Sequence, residues 1–510
     1  MSYDFQADKA EANYSAPGTL GERVGSSAQG LGVQSLALGA LESWQRDSSK
    51  AGLKSIDDPN LPHISMEGDR RSGTTGDAMP APKQEPKLLS KLEMIDMARQ
   101  HFCQLDADGN GFLTEKELAR EVENPANKGQ IAQTIAALYG MNSRLDFSQD
   151  KDASFGVFAG ITKADLDKTE EIIKAKQSQA SENTVSVEYL DALDTNKDGK
   201  LDKEEIEGAL KKGGLPDQEK ELFEYFSKNA EAENPLRISD VLHYLFSKEL
   251  GDKEDAVLNR MDFLMRHCWE NQIDEPKLFA LGKPDDGIGL HGVQQGTLGD
   301  CYFLSSLAAV ACMTPDTIKN MITENKDGTY TVTFPGAKSE PVTVSAPTEA
   351  ERGLYNGASE NGIWGSVMEK AYGAYCHKHF WRRTPLNWGG GLTTTEGADG
   401  GGVFLGKLMT LLTGKDADQD WQLFTFDSTT KRKLMEHVGG EEKVPVVAWQ
   451  KFFHKTNVSG VENHVYSVVN FDPKGEEGGT VTLYNPWGHK ESITFKQFSK
   501  RFVAVAYRDK

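Results

Sequence analysis

The residues best suited to chemistry in this sequence are one thiol, one imidazole, two carboxamides and two short acidic loops. The thiol is Cys301, in GDCYFLSSL, between an acidic turn and an apolar run. A thiol becomes a nucleophile when a nearby imidazole takes its proton, leaving a thiolate–imidazolium pair. The imidazole in turn needs a third group to hold its tautomer and orientation. Downstream, NHVYSVVNF puts His464 at the start of a period-2 strand, and LYNPWG puts Asn485 at the end of the next, 21 residues on. That separation is a hairpin's length, so the two side chains are expected at one sheet end. The apolar run after Cys301 reads as a helix, whose unpaired N–H groups and dipole favour a thiolate at its start. Gln295 has a side-chain amide that can share an oxyanion hole with the Cys301 peptide N–H. Trp487, in NPWG, is expected over the His–Asn hydrogen bond.

The acidic loops are DADGNGFLTEKE, residues 106–117, and DTNKDGKLDKEE, residues 194–205. Both fit the twelve-residue EF-hand pattern for calcium, which needs six or seven oxygens, a sharp turn at the sixth position and a bidentate Glu at the twelfth. In the first, Asp106, Asp108, Asn110, the Phe112 carbonyl, Thr114 and Glu117 are the expected ligands. In the second they are Asp194, Asn196, Asp198, the Lys200 carbonyl, Asp202 and Glu205. Two calcium sites are therefore expected. Segments 154–165, with Ile161 and Asp165, and 231–242, with Ile238, lack most of the carboxylates. They read as structural partners, giving two pairs of helix–loop–helix units.

Around these residues the chain changes character along its length. Residues 1–85 are rich in Gly, Ser, Ala and Asp and are expected to be a disordered tail. Residues 86–254 alternate amphipathic helical stretches with acidic loops, an all-α calcium module. From 255 onward Trp, Tyr, Phe and Gly become common, and helices mix with period-2 strands. The 510-residue chain carries a formal net charge of −20, which argues against a nucleic-acid surface and suits a cation binder. Its five cysteines include no C-x-x-C, so a reducing compartment is expected. The start, MSYDFQADKAEANYSAPGTL, lacks a basic, apolar secretory signal, and no apolar run is long enough for a membrane span. A cytoplasmic location is the expectation, with export by a leaderless route left open.

The blocks QGTLGDCYFLSSLAAV, WGSVMEKAYGAY, TTTEG, NHVYSVVN and NPWG resemble the protease core of the calpain family, in the family's order. The resemblance implies a multidomain α+β chain with a papain-like, two-lobed cysteine endopeptidase core: a helical lobe at 255–418 and a β-rich lobe at 419–510. It implies Cys301 as nucleophile, His464 as general base and then acid, Asn485 as orienter and Gln295 as oxyanion donor. Protein or peptide substrates and regulation by calcium follow from the same resemblance. The sequence also departs from the family. Tyr302 stands where Trp is usual, and Asn463 where Gly often precedes the histidine. Gly292 stands where an Asp of a core calcium site is expected, and no long acidic insertion follows NPWG. Two other readings stay open: a calcium-binding interaction protein with an inactive protease core, and acyl transfer or deamidation on the same three residues. Asn485 speaks against the last, which usually employs Asp as orienter.

Overall fold

The helical stretches begin and end where the sequence supplies caps. Ser90 with Glu93, Thr114 with Glu117, and Asp202 with Glu205 form reciprocal capping boxes at the starts of helices Lys91–Leu105, Glu115–Val122 and Lys203–Lys212. Asp106 and Asp194 sit at the C-terminal ends of Lys91–Leu105 and Val187–Leu193, so each acidic loop is bounded by a stop and a start. The computed structural model describes residues 87–145, 160–179, 185–229, 235–247, 253–378, 405–421, 428–450 and 464–510. All of these fall within one unit, Gln84–Lys510. The expected tail 1–85, the TTTEG block, Asn463 and parts of segments 154–165 and 231–242 lie outside the described residues.

The loops pair through short antiparallel bridges. Leu113 and Ile161 exchange both backbone hydrogen bonds, at 2.8 and 3.0 Å. In the second pair, Lys200–Leu201 lies against Leu236–Arg237, with Leu201 opposite Leu236. The register corrects an expectation: Leu236, and not Ile238, faces the loop, because Ile238 already opens helix Ile238–Ser247. Counted from that register, the twelfth position of the partner segment is Asp240.

The helices from Lys91 to Glu270 bury one continuous core, with Ile95, Phe102, Ile135, Leu138, Phe226, Leu242 and Leu264 among its members. Leu298, Ala350, Leu354, Tyr355 and Trp487 belong to the same core, so the helical segment and the later part of the chain share apolar packing. The boundary expected at 254/255 falls in the first turn of helix Lys253–Glu270. That helix buries Leu258, Met261, Leu264, Met265 and Cys268 in the same core, so its packing crosses that boundary.

The remainder mixes helix and sheet. Helix Cys301–Met313 is apolar all round and buried from Tyr302 to Ala311, the pattern of a central core helix. A three-stranded sheet, Ile322–Glu324, Thr329–Val332 and Val342–Ser345, and helices Trp364–Lys378 and Leu405–Thr413 surround it. A six-stranded antiparallel sheet runs in the order His489–Thr494, Thr480–Asn485, Val465–Asp472, Val446–Gln450, Phe502–Arg508, Ala417–Trp421. Its central strands are apolar on both faces. Val447, Val465, Ala504 and Ala506 pack toward the Cys301 helix, while Ala448, Tyr466, Val505 and Tyr507 pack with Leu434 and Phe498 on the other side. Alternate residues thus serve two cores, as the period of a strand requires. The boundary expected at 418/419 cuts the edge strand Ala417–Trp421, whose polar sequence gave no strand signal.

Candidate active site and calcium loops

Two serines tie the helix that begins at Cys301 to the strand that follows His464. Ser305, one turn after Cys301 on the same helix face, donates its hydroxyl to the Val465 carbonyl at 2.7 Å. Ser467 donates in return to the Ser305 carbonyl at 2.7 Å. The start of the helix is thereby stitched to the start of strand Val465–Asp472, immediately after His464. The Cys301 thiol is pushed up to about 12 by burial, an effect that a hydrogen bond from the Val465 backbone opposes and the Asp300 charge reinforces.

His464 is buried, and its Nε2 lies 2.9 Å from Asn485 Oδ1. The orientation of the amide is fixed by a second partner: the Trp487 backbone N–H, which can only donate, also meets Oδ1, at 3.0 Å. Nε2 therefore carries the proton, and Nδ1 is left with a lone pair. The Trp487 ring covers His464 with centroids 4.8 Å apart, and Tyr466 meets the imidazole edge-on at 5.0 Å. Asn485 is the last residue of its strand and fully buried.

Gln295 is held at both ends. Its Nε2 donates to the Leu298 carbonyl at 2.7 Å, and its Oε1 accepts from Trp487 Nε1 at 3.1 Å. Its backbone N–H donates to the Pro486 carbonyl at 2.7 Å. These bonds place Gln295, Asn485 and His464 around one tryptophan.

The loops form cradles of N–H groups around their carboxylates. In the first, Glu117 Oε1 accepts from the backbone of Ala107 at 2.8 Å, and Asp106 accepts from Asn110 and Gly111 at 3.1 and 3.0 Å. Burial raises the Glu117 carboxyl, but hydrogen bonds from Thr114, Ala107 and Asp108 outweigh it and hold the group below its ordinary value. Ligand oxygens of Asp106, Asp108 and Glu117 lie within 4.8 Å of one another, a donor set suited to a hard cation. In the second loop Asp194 accepts from Asp198 and Gly199 at 3.2 and 2.8 Å, and Glu205 from Thr195 at 2.7 Å. Gly111 and Gly199 take positive φ, 87° and 80°, the turn that position demands.

Residues 269–501 match the family model described as calpain family cysteine protease. The chain carries a calpain-family protease domain. Residues 187–209, which span the second acidic loop, match the EF-hand model. No curated protein matches the chain. Among the described residues no single helix is long and apolar enough to cross a membrane.

Within this calpain-family domain, Gly292 has no room for the Asp expected there. A Cβ on it would meet the Gly287 carbonyl at 2.5 Å and the Trp364 ring at 2.7 Å. Tyr302 is buried with its ring 6.2 Å from Tyr372, so the aromatic swap is absorbed in the core.

Sequence reasoning missed the outer layer of the site. The Asn485 Nδ2 donates to the Tyr244 hydroxyl at 2.8 Å. His243 stacks on Trp487 with centroids 4.3 Å apart, and Tyr244 meets the same ring edge-on at 4.7 Å. Gln294 donates from its side chain to Asp240 at 2.9 Å and from its backbone to Asn356 at 2.6 Å. Tyr244, His243 and Asp240 all lie on helix Ile238–Ser247, which read as an ordinary amphipathic partner helix. Nothing in its spacing distinguishes a hydroxyl aimed at a remote strand end from a core tyrosine.

Proposed function

We propose that the protein is a calcium-regulated cysteine endopeptidase that cleaves through Cys301, His464 and Asn485. The observation that carries this reading is the buried His464–Asn485 hydrogen bond under Trp487, beside the strand start to which the Cys301 helix is stitched. His464 Nδ1 takes the thiol proton as the sulfur attacks the scissile carbonyl, and later gives it to the leaving amine. Asn485 holds the imidazole ring in the required tautomer without accepting a proton. The second N–H of Gln295 Nε2 and the Cys301 peptide N–H, which at a helix start has no intrahelical acceptor, bind the tetrahedral oxyanion. A water then attacks the acyl-enzyme with His464 as base, releasing the acid and regenerating the thiol.

Catalysis needs a thiolate paired with His464, which must offset the burial that raises the Cys301 thiol. The carboxylates of loops 106–117 and 194–205 would hold calcium, which would neutralise their mutual repulsion and favour closure of the flanking helices. The second loop is bridged to Leu236–Arg237, next to the helix that reaches Asn485, which supports regulation through this module. The test is proteolysis of denatured casein with and without calcium. Cys301→Ala is expected to abolish it, His464→Ala to be nearly as severe, and Asn485→Ala to lose less, about tenfold to a hundredfold. Full activity in purified Cys301→Ala protein would end this reading. Calcium binding with no cleavage of any unfolded substrate would instead favour an interaction protein with an inactive core.

A further inference from the structure

We propose that Tyr244, on helix Ile238–Ser247 and outside the matched protease region, is a positioning residue that holds Asn485 for catalysis. The proposal rests on the Cys301–His464–Asn485 reading above and adds a fourth member to it.

The polarity of the hydrogen bonds determines what Tyr244 does. Trp487 N–H faces Asn485 Oδ1, so Nδ2 is the atom that faces the Tyr244 hydroxyl at 2.8 Å. A carboxamide nitrogen can only donate, so the hydroxyl oxygen accepts. Its own proton then needs an acceptor, and His489 Nε2 lies 2.6 Å away. Burial, together with the charges of His464 and Arg501, drives His489 down to about 3, so this imidazole is neutral and offers a lone pair in its Nδ1–H tautomer. The Tyr225 hydroxyl approaches the same nitrogen at 2.7 Å and donates to Glu491 Oε2 at 3.4 Å. Glu491 is paired with Arg501 at 2.6 Å, which anchors the far end. The result is a buried network that runs from Asn485 through the Tyr244 hydroxyl to His489 and Tyr225.

Each member is buried, and Tyr244 is 0% exposed, so water cannot replace the missing hydroxyl as it would at a surface. Without it, Nδ2 loses its partner in a dry site, and the amide gains freedom to rotate away from His464. An ordinary core tyrosine would make the ring contacts alone, to Trp487 at 4.7 Å and Phe226 at 5.2 Å. Phenylalanine would preserve those contacts. The hydroxyl is what separates the two roles.

The same helix makes a second contact with the site. Asp240 accepts from Arg237 N–H at 3.1 Å and from Gln294 Nε2 at 2.9 Å. Asp240 occupies the closing position of its loop, where a calcium-binding unit would carry its bidentate Glu. Here the carboxylate is turned to the residue beside Gln295.

The test is Tyr244→Phe in the full-length protein with calcium, read by kcat and KM on denatured casein and by the pH profile of Cys301 alkylation with iodoacetamide. The expected result is a folded protein with kcat down about tenfold and KM within about twofold, and with slower alkylation near neutral pH. On an Asn485→Ala background the same change is expected to cost less than about twofold, because the partner is already gone. Wild-type kcat and alkylation in Tyr244→Phe, or an undiminished loss on the Asn485→Ala background, overturns the proposal. If Tyr244→Phe does not fold, 3-fluorotyrosine at position 244 keeps the hydroxyl and the packing but makes the oxygen a weaker acceptor. The alkylation profile is then expected to shift, and a profile superimposable on the wild type overturns the proposal. Failure of the triad itself is read separately, by activity retained in Cys301→Ala or wild-type kcat in Asn485→Ala.

Discussion

Ser467 donates its hydroxyl to the backbone carbonyl of Ser305 at 2.7 Å, across the contact between a central helix and a central strand. Ser305 returns a bond to Val465 at 2.7 Å. Both serines are fully buried, so neither carbonyl has water as an alternative. Four residues earlier on that helix is Cys301, and one residue before Val465 is His464. The reciprocal pair therefore fixes the start of the Cys301 helix against the start of the strand that follows His464.

Removing one member should disturb that alignment without removing a reacting group. Ser305→Ala leaves the Val465 carbonyl buried and unsatisfied, at a cost of about 1–3 kcal/mol. Urea unfolding should show a lower midpoint with an unchanged slope. Cys301 alkylation and kcat should fall together, while KM stays close to wild type. A variant with lowered stability and wild-type kcat would show that the stitch only holds the cores together.

Gly292 offers a test of where calcium does not act. Its absent Cβ is replaced by the Gly287 carbonyl and the Trp364 ring, so Gly292→Asp should overpack this loop. A loss of about 1–3 kcal/mol is expected, with no gain in the number of calcium ions bound by calorimetry. An additional bound ion in a stable Gly292→Asp protein would mean the loop can still rebuild a core site.

Much of this was legible because the chemistry is local. The acidic loops declare themselves within twelve residues, since ligands, turn glycine and capping Glu are all close in sequence. The His464–Asn485 hairpin could be read because both ends of two period-2 strands were visible. The edge strand Ala417–Trp421 was not, because its polar residues are tolerated only by pairing with Phe502–Arg508. The helix that spans 254/255 was also hard to read, for a related reason. Helix Lys253–Glu270 carries apolar residues that suit either core, and only packing decides between them. Tyr244 was least legible of all, since its role depends on a partner 241 residues away.

Acid should destabilise the protein through its buried imidazoles. Burial holds His267 and His489 down to about 3 and His243 well below its ordinary value. An unfolded imidazole takes its proton near pH ~6.5. Below that point the unfolded chain binds protons that the folded chain refuses, so stability falls as the pH falls from ~6.5 toward 3. Asp240 and Asp262, raised to about 6 by burial, work the other way. They bind protons in the folded state between about 6 and their unfolded value near ~4, partly offsetting the histidines there. The loss should begin between pH ~6.5 and 6, before that offset applies. Urea midpoints measured across pH 7 to 5 should show it, and His267→Gln should flatten the slope by up to ~1.4 kcal/mol per pH unit. A His267→Gln slope identical to the wild type would mean that residue titrates normally.

Calcium should reach the active site more through the second loop than through the first. Loop 194–205 is bridged to Leu236–Arg237, and the next residues form the helix that holds Asp240 to Gln294 and Tyr244 to Asn485. Loop 106–117 is bridged instead to Ile161, which leads into helix Lys163–Gln179 and no residue of the triad. Emptying either loop crowds its carboxylates as like charges and loosens the flanking helices. In the second pair that loosening is transmitted to the two-stranded ribbon of Lys200–Leu201 and Leu236–Arg237 and to Asn485. Glu205→Gln should therefore lower calcium-stimulated kcat severalfold more than Glu117→Gln, although each removes one closing carboxylate and each should weaken calcium binding measured by calorimetry. The isolated segment 255–510 should be nearly inactive and poorly soluble, because Trp487, Leu298, Leu354 and Tyr355 would lose the helical core they share. The decisive comparison is the calcium titration of casein cleavage by the two single variants. Equal losses would mean that the loops act as one unit. A greater loss in Glu117→Gln would exclude the ribbon as the route. Calcium that raises the melting temperature of both variants while turnover stays constant would make the loops structural staples, since a ligand stabilises the state it binds whether or not it regulates.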